Sequence, residues 1–183
     1  MYPVETTNYI LALGTLAMQV VGVGFLAVYF LQEKFPDLAD IGSLIERWGM
    51  WKAFALTVGG SALTLFYSEI LGFAPCGLCW LQRVFLYPQV VLLGLALYKK
   101  DKNIVDYSIA LSMAGGIVAL YQHYLQMGGE AVLPCPATGP SLDCASRFLF
   151  EFGYITFPLM SATLFAFLIV LMLFVRRPLA TKV

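Results

Sequence analysis

Charged side chains are scarce in this sequence. Of its 183 residues, only 12% are Asp, Glu, Lys or Arg, whereas 60% are hydrophobic and the mean hydropathy is +0.81. A soluble globular domain carries roughly a quarter of charged residues. The scarcity of charge therefore excludes a soluble globular domain and predicts an integral membrane protein.

The sequence also lacks an excess of either charge. Its 11 Lys and Arg residues balance its 11 Asp and Glu residues, so the formal net charge is +0. Binding to nucleic acid depends on basic surfaces that release counterions, and we therefore expect no nucleic-acid partner. A disordered chain is excluded as well, because 15% of the residues are aromatic.

Long stretches with no charge or a single charge predict the membrane crossings. A helix needs about 20 apolar residues to cross the hydrocarbon of a bilayer. Five stretches approach this length, and the fourth contains the single histidine, His123. The predicted spans are Thr6 to Gln32, Ala53 to Phe73, Leu78 to Tyr98, Tyr107 to Met127 and Tyr154 to Val175.

The distribution of basic residues predicts the orientation. With five spans, nine of the 11 Lys and Arg residues fall on one side, and only Arg83 and Arg147 fall on the other. Because Lys and Arg are retained on the cytoplasmic side, we expect the N-terminus outside and the C-terminus inside.

The N-terminal region lacks the features of a cleaved signal peptide. Residues 1–8 contain no cation, and the apolar run that follows is longer than a signal core, so we expect it to remain as a helix. Between the first two spans, Ile41, Leu44, Ile45 and Trp48 recur at helical spacing. This segment is either a short helix lying in the membrane interface or a solvated linker.

Cysteine is infrequent, but its placement is informative. All four cysteines, Cys76, Cys79, Cys135 and Cys144, fall on the outer side in the predicted topology. Thiols in an oxidising compartment form disulfides, and four cysteines allow three pairings. We expect two bridges.

Cys76 and Cys79 form a C-x-x-C motif directly after Pro75, at the start of the third span. A helix N-terminus favours the thiolate form of a cysteine. Arg83 lies one helical turn after Cys79, inside the apolar segment, where an unpaired cation is costly and is therefore a candidate functional group. Its alternative role is to snorkel to lipid phosphates.

Other uses of the cysteines are open at this point. A structural zinc site prefers two short-spaced pairs, which Cys135 and Cys144 do not supply, so we expect no metal. Two inert structural disulfides would also fit the pattern. A small exchangeable loop beside an arginine favours redox activity instead.

The second cysteine pair lies in the loop from Gly128 to Gly153. Pro134 and Pro136 flank Cys135 and would hold it extended, either to present a disulfide or to form a rigid turn. From 142 to 152, apolar residues recur at roughly helical spacing, so this stretch would lie flat on the outer leaflet.

The sequence around the first cysteine pair resembles the signature of the DsbB/BdbC family of bacterial disulfide-forming membrane proteins, and the BdbC-type branch most of all. The residues that carry this resemblance are Pro75-Cys76-Gly77-Leu78-Cys79-Trp80-Leu81-Gln82-Arg83, followed by Tyr87-Pro88. Tyr121 to Gln126 resembles the histidine-containing segment of that family. The resemblance extends from about Arg47 to Val175.

The resemblance implies an all-α fold with a four-helix transmembrane bundle as its core, in a bacterial cytoplasmic (inner) membrane. The first predicted span adds one N-terminal transmembrane helix to this bundle. The resemblance also implies a thiol:quinone oxidoreductase that reoxidises a thioredoxin-fold oxidase of the DsbA or BdbD type with ubiquinone or menaquinone from the membrane pool. By this resemblance, Cys135 forms the mixed disulfide, Cys144 exchanges with Cys76, and Cys79 reacts with the quinone. Gln82, Arg83 and His123 would bind the quinone.

Two departures from the family pattern bear on this prediction. The first span is additional, which leaves the role of the N-terminal region unassigned, and the loop between Cys135 and Cys144 is short, which leaves the order of sulfur exchange open. We divide the chain into an additional helix with its interfacial segment (1–45), a DsbB-like bundle with the cysteine loops (46–177) and a cytoplasmic tail (178–183).

Two alternative functions remain at this stage. An enzyme similar to vitamin K epoxide reductase also pairs a C-x-x-C with loop cysteines, but that family places the loop cysteines before the C-x-x-C. A membrane subunit without catalytic activity, braced by structural disulfides, is the second alternative.

Overall fold

The computed structural model describes residues 4–132, 135 and 143–176. Five helices account for most of this part of the chain, and each is long and apolar enough to cross a membrane. The helices are α1 (Val4–Leu31), α2 (Pro36–Leu65), α3 (Gly77–Lys99), α4 (Ile104–Gln126) and α5 (Phe157–Arg176).

The predicted spans agree with these helices except at the start of the second one. α2 begins at Pro36, so the segment 41–48 belongs to a continuous helix and is not a linker. Its 30 residues rise about 45 Å, which exceeds the hydrocarbon thickness, so part of α2 extends beyond the apolar slab. The helix also crosses position 45, where we divide the chain, and that division remains a prediction.

α5 lies at the centre of the fold. It is the most buried of the five helices and packs against α4, α2 and α1, whereas α1 is the least buried. Phe165, Leu168, Leu171 and Met172 of α5 are almost completely buried in the main hydrophobic core. The fold is therefore an all-α membrane bundle of α2 to α5, with α1 packed on its outside, as the sequence predicts.

Small residues allow the helices to approach each other closely. A methyl group added to Gly115 of α4 would lie only 2.7 Å from Cε2 of Phe165 on α5. Polar side chains join α3 to α4, since Ser108 donates a hydrogen bond to Oε1 of the buried Gln89 at 2.8 Å. Such contacts stabilise helix association inside a bilayer, where lipid tails are as apolar as the helices and the hydrophobic effect does not drive the helices together.

The chain turns sharply between α2 and the C-x-x-C motif. α2 continues as a π-helical turn, Phe66–Ile70, and Gly72 then adopts a φ of +73°, which favours glycine. The residues that follow lead through Pro75 to the extended Cys76 at the start of α3. This turn sets the position of Cys76 at one end of the bundle.

Candidate functional site

Cys76 and Cys79 lie together at the N-terminus of α3. Cys76 is the N-cap residue, and its Sγ accepts a hydrogen bond from the backbone N–H of Cys79 at 3.4 Å. The two Sγ atoms are 2.9 Å apart and not bonded, so this motif is a dithiol. The hydrogen bond between the two side chains, together with burial, raises the pKa of the Cys76 thiol, whereas the bond from the backbone N–H of Cys79 opposes this shift.

The expectation of two disulfides is wrong for this structure, which contains one. Cys135 and Cys144 are bonded, with their Cα atoms 6.0 Å apart, and the C-x-x-C pair is reduced. Of the three possible pairings, the structure forms the loop bridge and brings the other two sulfurs together. A redox pathway with two pairs in series passes through such a state, in which one pair is oxidised and the other reduced.

The two cysteine pairs share one small hydrophobic cluster. Cys76 and the almost fully buried Cys144 belong to it with Leu78 and Leu125, and Cys79 and Cys135 pack against it. The side-chain amide of Gln126 donates a hydrogen bond to the carbonyl oxygen of Ser146 at 2.9 Å, which ties the loop to α4. The loop disulfide is therefore packed beside the thiols with which it would exchange.

The loop around this disulfide is not helical in its described part, although its apolar residues recur at roughly helical spacing. Residues 143–156 form turns and an isolated bridge between Glu151 and Ile155. Leu149 is buried against Ala12 of α1 and Ile155, so packing anchors the segment without helical structure. Pro134, Pro136 and residue 142 lie outside the described residues.

Gln122 is a site residue that the sequence analysis missed. It is 1% exposed, and its Nε2 donates to Sγ of Cys76 at 3.1 Å and to Sγ of Cys79 at 3.3 Å. Nε2 of Gln82 donates to Oε1 of Gln122 at 2.6 Å, which orients the amide nitrogen toward the sulfurs. The sequence signal that could have identified Gln122 is a polar residue within an apolar helix, one helical turn before Gln126.

Arg83 is buried, in contrast to a snorkelling arginine. Its side chain donates from Nη2 to the carbonyl oxygen of Thr64 at 2.9 Å, and its guanidinium carbon lies 4.9 Å from the ring centroid of Trp80. The second terminal nitrogen, Nη1, is buried and has no hydrogen-bond partner within the part of the chain that the structure describes. An unpaired cationic donor of this kind is costly at membrane depth, and it is ready to bind an acceptor.

Cys79 and Arg83 line the same cavity, which has a volume of about 530 Å³. Gln82, Gln122 and Thr64 also line it, and most of the remaining wall is apolar. Its volume is typical of small-molecule sites. The residues present fit a quinone, whose carbonyl oxygen would accept from Nη1 and whose apolar body would contact the apolar wall.

His123 lies apart from this cavity. Its Nδ1 forms a hydrogen bond with Oγ1 of the buried Thr156 at 2.9 Å, and it is not among the residues that line the space beside Arg83. The structure therefore brings Gln82 and Arg83 together with the thiols, while the contribution of His123 to quinone binding stays a prediction.

Comparison with known proteins yields one family and several relatives. The family model of the disulfide bond formation protein DsbB matches residues 46–175. The SPbeta prophage-derived disulfide bond formation protein B of Bacillus subtilis is 42% identical over 113 residues, which cover 62% of this chain and 75% of that protein. Probable disulfide formation protein C 1 of Bacillus anthracis is 35% identical over 130 residues, 71% of this chain and 86% of the relative.

A third relative is similar over nearly its whole length. Disulfide bond formation protein C of Bacillus subtilis is 30% identical over 132 residues, which cover 70% of this chain and 91% of that protein. No solved structure matches the chain significantly.

Proposed function

The chain belongs to the DsbB family of disulfide bond formation proteins, and we propose that it is a thiol:quinone oxidoreductase. It is a multi-pass bacterial membrane protein of a family whose members generate disulfides. In our proposal, its substrate is the reduced form of an extracytoplasmic thioredoxin-fold oxidase of the DsbA or BdbD type. The electrons leave through ubiquinone or menaquinone of the membrane pool.

One observation carries the proposal. A thiol of a C-x-x-C motif and a buried guanidinium with an unpaired N–H line the same largely apolar cavity. A structural disulfide needs neither the cavity nor the unpaired cation. Reduction of a quinone needs both a sulfur donor and a group that stabilises negative charge on the quinone oxygen.

The thiol chemistry divides between the two pairs. A thiolate of the partner attacks Sγ of Cys135, which breaks the Cys135–Cys144 bond and forms a mixed disulfide. The second partner thiol then displaces Cys135, so the partner leaves oxidised and the loop pair is reduced. The loop pair is restored when its two thiols transfer two electrons and two protons to an oxidised Cys76–Cys79 pair by the same exchange.

The packing of the two pairs supports exchange between them despite the short loop, because Cys144 and Cys76 belong to the same hydrophobic cluster. We assign this exchange to Cys144 and Cys76, and the contact with the quinone to Cys79, which lines the cavity.

Several side chains would hold and activate the groups at the cavity. Arg83 would donate to a quinone oxygen from Nη1 while Nη2 remains bonded to Thr64. Gln122 would stabilise a thiolate at Cys79, and Gln82 would fix the orientation of Gln122. When bound, the quinone accepts the two electrons and two protons released as Cys76 and Cys79 close to a disulfide.

We further propose that the N-terminus and both cysteine pairs lie outside and the C-terminus inside. The distribution of cations supports this orientation, because nine of the 11 basic residues then lie in the cytoplasm.

Anaerobic electron transfer tests the function directly. The purified protein is mixed with ubiquinone-1 and an excess of a reduced thioredoxin-fold oxidase, and formation of quinol is followed by absorbance. We expect many turnovers for the wild type and none for Cys79→Ser. A membrane subunit with only structural disulfides would transfer no electrons in either form.

A further inference from the structure

The additional helix α1 provides part of the cavity that contains Cys79 and Arg83. We propose that α1 forms one wall of the quinone site and that Gly14 leaves the space in which the quinone lies. This inference rests on the proposed function. It concerns a helix outside the matched residues 46–175, so the family match assigns it no role.

α1 faces the cavity over more than two helical turns. The residues that it contributes are Ile10, Leu11, Gly14, Thr15 and Met18, and they lie at the spacing of one helix face. Leu63 and Gly59 of α2 line the same cavity. Without α1, this side of the cavity would open to lipid.

Polar contacts hold α1 against the bundle beside the cavity. The hydroxyl of Tyr67, which itself lines the cavity, donates to Oδ1 of Asn8 at 2.6 Å, and both residues are buried. Farther along the helix, Nε2 of Gln19 donates to Oγ1 of Thr163 at 3.1 Å. A buried hydrogen bond at membrane depth fixes the helix more specifically than apolar packing alone.

Gly14 is the position on this wall where a side chain is missing. A methyl group built on it would meet no atom within 4 Å, so the glycine is not required by close helix packing. Glycine inside a helix is less favourable than alanine, and at this position the absence of a side chain leaves the cavity wider. Because the Cβ of a larger residue would enter open space here, we expect a leucine at this position to occupy cavity volume.

Two other glycines provide matched variants. A methyl group on Gly24, also on α1, has no neighbour within 4 Å, but this residue lines neither the cavity nor any other described pocket. Gly59 is equally unobstructed and lines the cavity from α2. Gly24→Leu therefore controls for the change in α1, and Gly59→Leu tests the cavity without altering α1.

The experiment measures binding of ubiquinone-1 to the purified full chain by quenching of tryptophan fluorescence, and KM for quinone and partner. We expect Gly14→Leu and Gly59→Leu to raise the Kd at least tenfold and to leave the KM for the partner unchanged. Gly24→Leu should bind as the wild type does. If Gly14→Leu does not fold, Gly14→Ala is used, and we expect about a threefold weaker Kd.

The outcomes separate this inference from the proposed function. If the Kd rises in Gly59→Leu but stays at the wild-type value in the Gly14 variant that folds, the proposed role of α1 is wrong. The proposal that quinone binds in the cavity is then retained. A wild-type Kd in Gly14→Leu, Gly59→Leu and Arg83→Gln overturns both. An equal loss of binding in Gly24→Leu also overturns the inference, because the effect would then not depend on the cavity.

Discussion

Substitution of Arg83 tests the link between the dithiol and the quinone. Arg83→Gln removes the positive charge and the unpaired Nη1 donor, so the variant should use quinone poorly while still reacting with its protein partner. A hydrogen bond to a charged group contributes about 1.5–3 kcal/mol. Since about 1.4 kcal/mol corresponds to a tenfold change, the KM for quinone should rise by roughly one to two orders of magnitude.

The conservative variant separates charge from geometry. Arg83→Lys keeps a positive charge, but a single ammonium group cannot donate both to the carbonyl of Thr64 and to a quinone from the fixed positions of a planar guanidinium. We therefore expect Arg83→Lys to recover only part of the loss. A snorkelling role predicts that lysine is fully adequate.

The assay varies ubiquinone-1 and the reduced partner separately in steady state. Arg147→Gln is the matched control, because Arg147 also lies over an aromatic ring, 4.8 Å from that of Phe150, but is exposed and outside the cavity. Its KM for quinone should not change. An unchanged KM for quinone in Arg83→Gln refutes the reasoning.

The remaining predictions concern the sulfurs and the topology. Cys135→Ser should trap no partner on a non-reducing gel while Cys76→Ser still captures it, and covalent capture with turnover in Cys135→Ser would reverse the assigned order of exchange. Gln122→Leu removes a donor to both sulfurs. Since such a hydrogen bond contributes about 0.5–1.5 kcal/mol, alkylation of Cys79 by iodoacetamide should slow about twofold to twelvefold, and an unchanged rate contradicts this role. A C-terminal alkaline phosphatase fusion should be inactive, and activity would overturn the orientation.

The helices could be predicted because membrane thickness fixes the length of an apolar run. The start of α2 could not, because Glu46, Arg47 and Lys52 interrupt the uncharged stretch. A helix can continue past such charges where they reach water or a partner. Glu46 does so through an ion pair with Lys102, at 3.0 Å, in the connection between α3 and α4.

The proximity of Cys76, Cys79 and Arg83 could be predicted because these residues are close in the sequence. One helical turn separates Arg83 from Cys79, so spacing alone indicates that they share a face. Gln122 and the contact between Asn8 and Tyr67 depend on which helices are neighbours, at separations of 46 and 59 residues for the hydrogen bonds involved. Periodicity shows which residues share a helix face, but not which helix that face meets.

The distribution of hydrogen bonds in the apolar bundle indicates the position at which a ligand would bind. Buried polar side chains such as Gln82, Gln89 and Gln122 have partners, and in the part of the chain that the structure describes only Ser61 Oγ and Arg83 Nη1 are buried without one. Burying a hydroxyl without a hydrogen-bond partner costs less free energy than burying an unpaired cationic N–H. The bilayer offers the cation no polar groups that would compensate for its lost hydration. The larger deficit belongs to Arg83, a residue that lines the same cavity as Cys79. An acceptor bound there would relieve it beside the sulfur that is to be oxidised, so stabilisation of the bundle and reactivity toward quinone would depend on the same contact.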